Sequence, residues 1–265
     1  RKLNQIINKE LDVLNSGRFQ NLGDKLIVLN GKPGTGKTIH LINFAYHAKQ
    51  ESGFTPIILT YNRALSQDID RLMYFSGYEN HIEIQTLDKF FSDLMINIGL
   101  FTGDKSELYV KSNGSNRYEK LLNDLNDLID NSKSQKEWRG ELNINYDLLF
   151  VDEAQDCREI ERDLLFNLFG IKNSIISIGN RQVVRFEKEQ TNWTLGTDKS
   201  QRHHVKLKTS HRNKMNLTDW FNGFSQEHYT IAPWSLNENQ KLTGGRLILL
   251  NENSYSKAFH IEERD

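Results

Sequence analysis

Residues 25–38, KLIVLNGKPGTGKT, join a short apolar run to a glycine-rich turn, and a helical pattern follows them. The segment from Gly31 to Thr38 matches G-x-x-x-x-G-K-[ST], the pattern of a phosphate-binding loop between a strand and a helix. Glycines let the backbone curl so that successive N–H groups point at phosphate oxygens, and the helix N-terminus adds its positive dipole. The pattern therefore favours a nucleotide site over a glycine-rich turn that carries a chance lysine.

The predicted loop assigns a role to each of its side chains. Lys37 is expected to contact the β and γ phosphates of ATP, and the Thr38 hydroxyl is expected to bind Mg²⁺. The residues predicted to bind the nucleotide are Gly31, Lys32, Pro33, Gly34, Thr35, Gly36, Lys37 and Thr38.

A second chemical feature is the stretch LLFVDEAQD, residues 148–156, in which a strand pattern ends in Asp152 and Glu153. Ligands of open α/β sheets bind at the carboxyl ends of the strands, so Asp152 is predicted to hold Mg²⁺ together with Thr38. Glu153 is then suited to orient or deprotonate the attacking water. The alternative, a solvated cluster of loop acids, requires that the strand or the phosphate-binding loop be absent, and the sequence predicts both.

Short runs rich in Ile, Leu and Val recur along the chain and alternate with helical patterns. Such runs are typical of strands that are buried on both faces of a parallel sheet, and the alternation predicts a doubly wound α/β fold. The predicted strands are residues 25–30, 55–60, 81–86, 146–152 and 174–179. Residues 100–145 are polar and contain one amphipathic helix, with Leu121, Leu122, Leu125, Leu128 and Ile129 on one face. We interpret them as a small helical insertion.

Composition limits the possible partners and compartment. With 265 residues and a net charge of -1, the chain has no overall positive field, so contact with a nucleic acid must be local. The single cysteine, Cys157, fits a reducing cytoplasm. No run approaches the length of a membrane span, so the sequence predicts a cytoplasmic protein without membrane contact.

Other segments follow the phosphate-binding loop in the order of the motifs of UvrD/Rep-like superfamily 1 helicases. VDEAQD (151–156) resembles motif II of that family, LTYNRAL (59–65) resembles motif Ia, and QTLDKFF (85–91) resembles the segment after it. IGNRQVVRF (178–186) and LKTSHRN (207–213) resemble motifs III and IV. The chain is thus similar to the N-terminal RecA-like domain of such a helicase, a P-loop NTPase fold whose parallel sheet is flanked by helices.

This resemblance implies two further catalytic residues beside Lys37 and Glu153. Gln182 matches the motif III glutamine that senses the γ-phosphate, and Arg212 matches the motif IV arginine that reaches that phosphate. Such an arginine neutralises the charge that develops during phosphoryl transfer.

The resemblance also implies a path for single-stranded DNA. The residues that match it are Tyr61, Asn62, Thr86, Arg185 and Phe186. Aromatic and amide side chains suit this role because stacking and backbone contacts bind any base sequence. For Tyr61 and Phe186 an ordinary core or surface aromatic remains the alternative. The basic residues of 202–214 are equally consistent with phosphate contact and with a solvated strand edge.

The domain organisation expected from these patterns has two parts. Residues 1–212 form a RecA-like ATP-binding domain, with the insertion at about 100–145, and residues 213–265 form the incomplete start of a second RecA-like domain. The chain also lacks an initiator Met, which favours a segment of a longer protein.

The function that the resemblance implies is that of an ATP-dependent DNA helicase or single-stranded DNA translocase that uses ATP and Mg²⁺. Its expected substrate is single-stranded DNA or a junction of single and double strands, in DNA repair or anti-phage defence, with a protein partner such as a nuclease subunit. The alternative is an ATP-binding regulatory or assembly module of a nucleic-acid-processing complex, without unwinding activity.

Overall fold

The chain divides into two compact units, Arg1–Leu207 and Lys208–Asp265. In this computed structural model the described residues are 21–61, 63–76, 82–109, 111–112, 115–129, 133–179, 191–210 and 235–236. The assignment of the second unit to a second RecA-like domain remains a prediction.

The first unit contains a six-stranded sheet in which every neighbouring pair of strands is parallel. Its strands are β1 (Leu26–Gly31), β2 (Pro56–Thr60), β3 (Glu83–Thr86), β6 (Leu148–Val151), β7 (Ser174–Gly179) and β8 (Arg202–Leu207). Two short strands, β4 (Lys111–Ser112) and β5 (Ser115–Asn116), form a separate antiparallel pair. The spatial order in the large sheet is β3-β2-β6-β7-β1-β8. One strand, β7, therefore separates the strand that leads into the phosphate-binding loop from the strand that Asp152 follows.

Helices cover both faces of the sheet. They are α1 (Lys37–Ser52), α2 (Arg63–Ser76), α3 (Leu87–Asn97), α4 (Arg117–Leu128), α5 (Gln135–Glu141) and α6 (Glu159–Phe169). Successive strand residues point to opposite faces, so in β1 Ile27 joins the core that contains α1 and α2, whereas Val28 joins the core of α3 to α6. Burial on both faces explains why the central strands read as continuous apolar runs. The predicted RecA-like α/β fold is confirmed.

The insertion contains more structure than the one predicted helix. A 3-10 helix, Lys105–Tyr109, precedes the β4–β5 pair, and α5 follows α4. Helix α5 begins with a capping box in which the Ser134 hydroxyl accepts from the Glu137 N–H and the Glu137 carboxylate accepts from the Ser134 N–H. The predicted apolar face of α4 was wrong at one position, because Leu128 is exposed while the other four residues of that face are buried.

Strand β8 was absent from the predicted set of strands. Its sequence RHHVKL buries only Val205 fully, since β8 lies at the edge of the sheet and has a neighbour on one side only. This position agrees with the strand-edge interpretation of the basic residues there.

The described part of the second unit is a short parallel pair, β9 (Thr209–Ser210) and β10 (Ser235–Leu236). The helical pattern that begins at 213 and the strand pattern at 244–251 lie outside the described residues. Among the described residues, no helix is both long and apolar enough to cross a membrane.

Candidate nucleotide site and adjoining cleft

The phosphate-binding loop follows β1 and ends where α1 begins. Gly36 caps the helix with a φ of 82°, in the left-handed region that favours glycine, and its carbonyl accepts from the His40 N–H at 3.0 Å. Within the loop, the Thr35 hydroxyl donates to the Lys32 carbonyl at 2.8 Å. The ammonium of Lys37 lies over the same turn, where it donates to the carbonyl of Gly31 at 3.2 Å. The loop thus places a buried lysine and the N-terminus of a long helix at one point.

The acidic end of β6 reaches this loop. The Thr38 hydroxyl donates to Asp152 Oδ2 at 2.7 Å, although the two residues are 114 positions apart in the chain. Asp152 is fully buried, and its other oxygen accepts from the hydroxyl of Ser177 in β7. Burial raises the pKa of the Asp152 carboxyl above its ordinary value, and the two hydroxyl donors oppose that rise. The Asp152 carboxylate is therefore shielded from water and depends on protein groups for its hydrogen bonds.

The oxygen pair of Thr38 and Asp152 fits Mg²⁺. This ion prefers hard oxygen ligands and is commonly held by one or two protein oxygens together with substrate phosphates. A hydroxyl and a carboxylate oxygen in direct contact, next to a loop built for phosphate, supply that ligand set. Among the described residues, no group of three or more His, Cys, Asp or Glu side chains could hold a metal ion.

Glu153 leaves the strand in a conformation that is uncommon for a side chain with a Cβ. Its φ of 50° and ψ of 45° lie in the left-handed region. Its N–H donates to the Ser177 hydroxyl at 3.3 Å, and its carboxylate accepts from the Gln155 amide at 2.6 Å. The Gln155 carbonyl oxygen accepts in turn from the Gly179 N–H at 2.9 Å. Gln155 thereby connects the predicted catalytic carboxylate to the end of β7.

Ser177 and Gln155 were not among the predicted site residues. Ser177 is one of two serines in the otherwise apolar run SIISIG and lies two positions before the strand ends. A hydroxyl at that place in a buried strand is a signal that sequence reasoning could have used, because buried polar groups need hydrogen-bond partners. The sequence distinguished Gln155 only as one residue of VDEAQD (151–156), without a predicted role.

A cleft of about 790 Å³ lies at the carboxyl edge of the sheet, beside the turn that follows Glu153. It is lined by Tyr61, Arg63, Ser66, Gln67, Thr86, Asp88, Lys89, Ser92, Lys105, Tyr109 and Asp156. Two of the residues predicted to contact DNA, Tyr61 and Thr86, therefore lie in one cleft. Tyr61 is 6% exposed and belongs to the core, and the Thr86 hydroxyl caps α3 by accepting from the Lys89 N–H at 3.2 Å. Both residues have structural roles beside any ligand contact.

The remaining predicted site residues lie outside the described part of the chain. They are Asn62, Gln182, Arg185, Phe186 and Arg212.

Comparison with known families assigns this chain to a group of helicase domains. Residues 24–242 match the family described as Schlafen group 3, DNA/RNA helicase domain. The chain belongs to this family. No match was found among curated proteins. The match covers most of the chain, including the phosphate-binding loop and the acidic end of β6.

Membership of the Schlafen group 3 helicase-domain family supports the coarser part of the sequence-based interpretation. The prediction of a helicase-like, nucleotide-dependent domain that acts on nucleic acid is confirmed at that level. The narrower assignment to the UvrD/Rep branch remains a prediction.

Proposed function

We propose that this Schlafen group 3 domain hydrolyses ATP with Mg²⁺ at the phosphate-binding loop and couples the reaction to single-stranded nucleic acid, as a DNA helicase or translocase of UvrD-like type. The observation that carries the proposal is the 2.7 Å hydrogen bond between Thr38 and Asp152. It joins the loop after β1 to the carboxyl end of a strand two places away in the sheet.

In this proposal each residue near the Thr38–Asp152 hydrogen bond has a separate role in phosphoryl transfer. Thr38 and Asp152 hold Mg²⁺, which supplies positive charge to the phosphate oxygens when bound. Lys37 and the N–H groups of the loop bind the β and γ phosphates. Glu153 orients the attacking water and accepts its proton. Gln182 and Arg212 are proposed to contact the γ-phosphate on the basis of the motif resemblance alone.

The cleft lined by Tyr61, Thr86 and Asp156 suits a single strand of nucleic acid. Arg63, Lys89 and Lys105 bring positive charge to its walls, and Tyr109 offers a ring that is 42% exposed. Phosphates pair with such basic side chains, and bases of any sequence stack on aromatic rings. Asp88 and Asp156 add negative charge to the same walls, so the attraction depends on individual contacts rather than on a uniformly basic surface.

The proposal is tested by measuring ATP hydrolysis by the chain without polymer, with single-stranded DNA and with single-stranded RNA. We expect stimulation by DNA. Arg63→Ala should weaken the apparent affinity for the polymer several-fold, because it removes one phosphate contact. Arg71→Ala is the matched control, since Arg71 lies on the same helix, is 72% exposed and does not line the cleft.

Each outcome of this experiment has a defined meaning. Stimulation that Arg63→Ala weakens and Arg71→Ala does not would support the proposal. Hydrolysis that neither polymer changes would overturn the coupling to nucleic acid. Tight binding of Mg·ATP without turnover would overturn the motor assignment and indicate a regulatory or assembly module. We also propose, from the motif resemblance, a role in DNA repair or anti-phage defence with a nuclease subunit as partner.

A further inference from the structure

The backbone that carries Glu153 needs support from its surroundings. A residue other than glycine in the left-handed region is strained, and such a conformation persists only where neighbouring groups fix it. The loop of residues 153–157, here named the acidic loop, contains a short 3-10 turn. Within it the Asp156 N–H donates to the Glu153 carbonyl at 3.0 Å and the Cys157 N–H donates to the Ala154 carbonyl at 3.3 Å. One short turn provides few hydrogen bonds, so contacts from other segments matter for the position of the loop.

Two buried side chains from a later segment bind the backbone of the acidic loop. The indole N–H of Trp193 donates to the Ala154 carbonyl at 2.8 Å, and the Thr191 hydroxyl donates to the Cys157 carbonyl. Trp193 is 1% exposed and Thr191 is 6% exposed, so both bonds form away from water. The two carbonyls lie at opposite ends of the 3-10 turn, directly after Glu153. These two bonds add to those that Ser177 and Gly179 of β7 form with Glu153 and Gln155, so two separate segments hold the acidic loop from outside.

The segment that carries these two donors is itself fixed to α6. The Phe166 ring contacts the Trp193 ring edge to face, with centroids 5.4 Å apart. The Arg162 guanidinium, whose side chain is 5% exposed, donates to the Asn192 carbonyl at 2.8 Å. Helix α6 contributes several residues to the core, so the segment has a rigid base. Trp193 and Thr191 therefore connect the acidic loop to α6.

We propose that Trp193 and Thr191 are positioning residues for ATP hydrolysis, which hold the acidic loop so that the Glu153 carboxylate meets the attacking water. The inference rests on the proposed function, because it assigns to Glu153 its role at the γ-phosphate. Neither Trp193 nor Thr191 lies in the phosphate-binding loop, and neither is a proposed ligand of Mg²⁺. The affinity for Mg·ATP should therefore not depend on them. Their loss should slow turnover at saturating ATP and leave the affinity for Mg·ATP unchanged.

The first test is Trp193→Phe, which keeps an aromatic ring against Phe166 and removes the N–H donor. We expect kcat for ATP hydrolysis to fall about tenfold, because a small displacement of a catalytic group slows a reaction strongly. The dissociation constant for Mg·ATP should stay within about twofold of the wild-type value, as expected when only an interaction of the transition state is lost. Trp138→Phe, at a tryptophan of the insertion that is 7% exposed, is the matched control and should leave kcat unchanged.

A second pair of variants keeps the test decisive if Trp193→Phe does not fold. In Thr191→Val the new side chain has nearly the shape of threonine but lacks the hydroxyl, whereas Thr191→Ser keeps a hydroxyl at this position. We expect Thr191→Val to lower kcat and Thr191→Ser to recover most of the wild-type value, with the same nucleotide affinity in both. A merely structural role would instead lower the melting temperature of Thr191→Val and leave the kcat of the folded variant unchanged.

The outcomes separate this inference from the proposed function. If the wild-type chain does not hydrolyse ATP, the proposed function fails. If the wild type hydrolyses ATP and the folded Trp193→Phe and Thr191→Val variants match its kcat, only the positioning role is overturned. A loss of Mg·ATP affinity equal to the loss of kcat would also overturn it, because the variants would then disturb binding rather than the placement of Glu153.

Discussion

Replacing Asp152 by Asn should affect the protein in two opposite ways. The wild-type carboxyl is fully buried, and burial raises its pKa above the ordinary value of 3.8. Between the unfolded and the folded pKa the folded state binds more protons, so the free energy of unfolding falls as pH rises through that window and stays lower at neutral pH. Asparagine carries no charge. Its amide can still bond both the Thr38 and the Ser177 hydroxyl, since hydroxyls donate and accept.

The size of both effects can be stated for a thermal unfolding experiment. Removal of the buried charge should add about 1 kcal/mol, a common size for a stabilising substitution, which raises Tm by about 3 °C in a unit of this length. Mg²⁺ with a non-hydrolysable ATP analogue at about 100 times its Kd stabilises the wild type by about 2.7 kcal/mol. If the variant binds about a hundredfold more weakly, the same ligand concentration adds only about 0.4 kcal/mol.

The assay compares Tm with and without the ligand for the wild type, Asp152→Asn and the exposed control Asp127→Asn. We expect Asp152→Asn to melt higher than the wild type without ligand and lower with it, and the control to follow the wild type in both states. The advantage of the ligand-free variant should shrink as pH approaches 3.8, because the wild-type carboxyl then becomes protonated. A ligand-free variant that melts below the wild type, or one that keeps the full response to ligand, would refute this reasoning.

Two further substitutions test the loop and the core. Gly31→Ala should lower the affinity for Mg·ATP about tenfold or more, because the new Cβ would lie 2.4 Å from Thr35 Oγ1 and force the phosphate-binding loop to move. Calorimetric titration measures this affinity. Gly140→Ala is the control and should leave the affinity unchanged, because its Cβ would meet no atom within 4 Å. Glu161→Ala should reduce the free energy of unfolding in urea by about 3 kcal/mol, because it removes a fully buried carboxylate that accepts from Arg158 Nη1 at 2.9 Å. A loss below about 1 kcal/mol, the range of an exposed ion pair, would contradict that value.

The sequence was most informative where local pattern and chemistry coincide. Strands β1, β2, β6 and β7 were predictable because burial on both faces leaves an unbroken apolar run. The contact between the phosphate-binding loop and Asp152 was predictable as well, although no local signal encodes it. Both motifs end parallel strands, and the shared chemistry of phosphate and Mg²⁺ requires that they meet.

Other features depend on tertiary contacts that leave weak traces in the sequence. Strand β8 was missed because a polar edge strand resembles a loop, with only Val205 fully buried. Leu128 was placed on the wrong face because periodicity alone does not define where a helix surface meets solvent. Trp193 and Thr191 carry no motif. Their importance follows from hydrogen bonds to backbone carbonyls 39 and 34 positions away, which only the folded chain brings together.

The most direct test of the proposed ATPase site is the turnover of Glu153→Gln at saturating Mg·ATP, measured together with its affinity for Mg·ATP. We expect turnover to fall by at least about a hundredfold, the usual contribution of a general base, while the dissociation constant stays within about threefold of the wild type. Glu159→Gln, at an exposed glutamate of α6, should turn over ATP like the wild type. Wild-type turnover in Glu153→Gln would contradict the assignment of this carboxylate and of the site built around it.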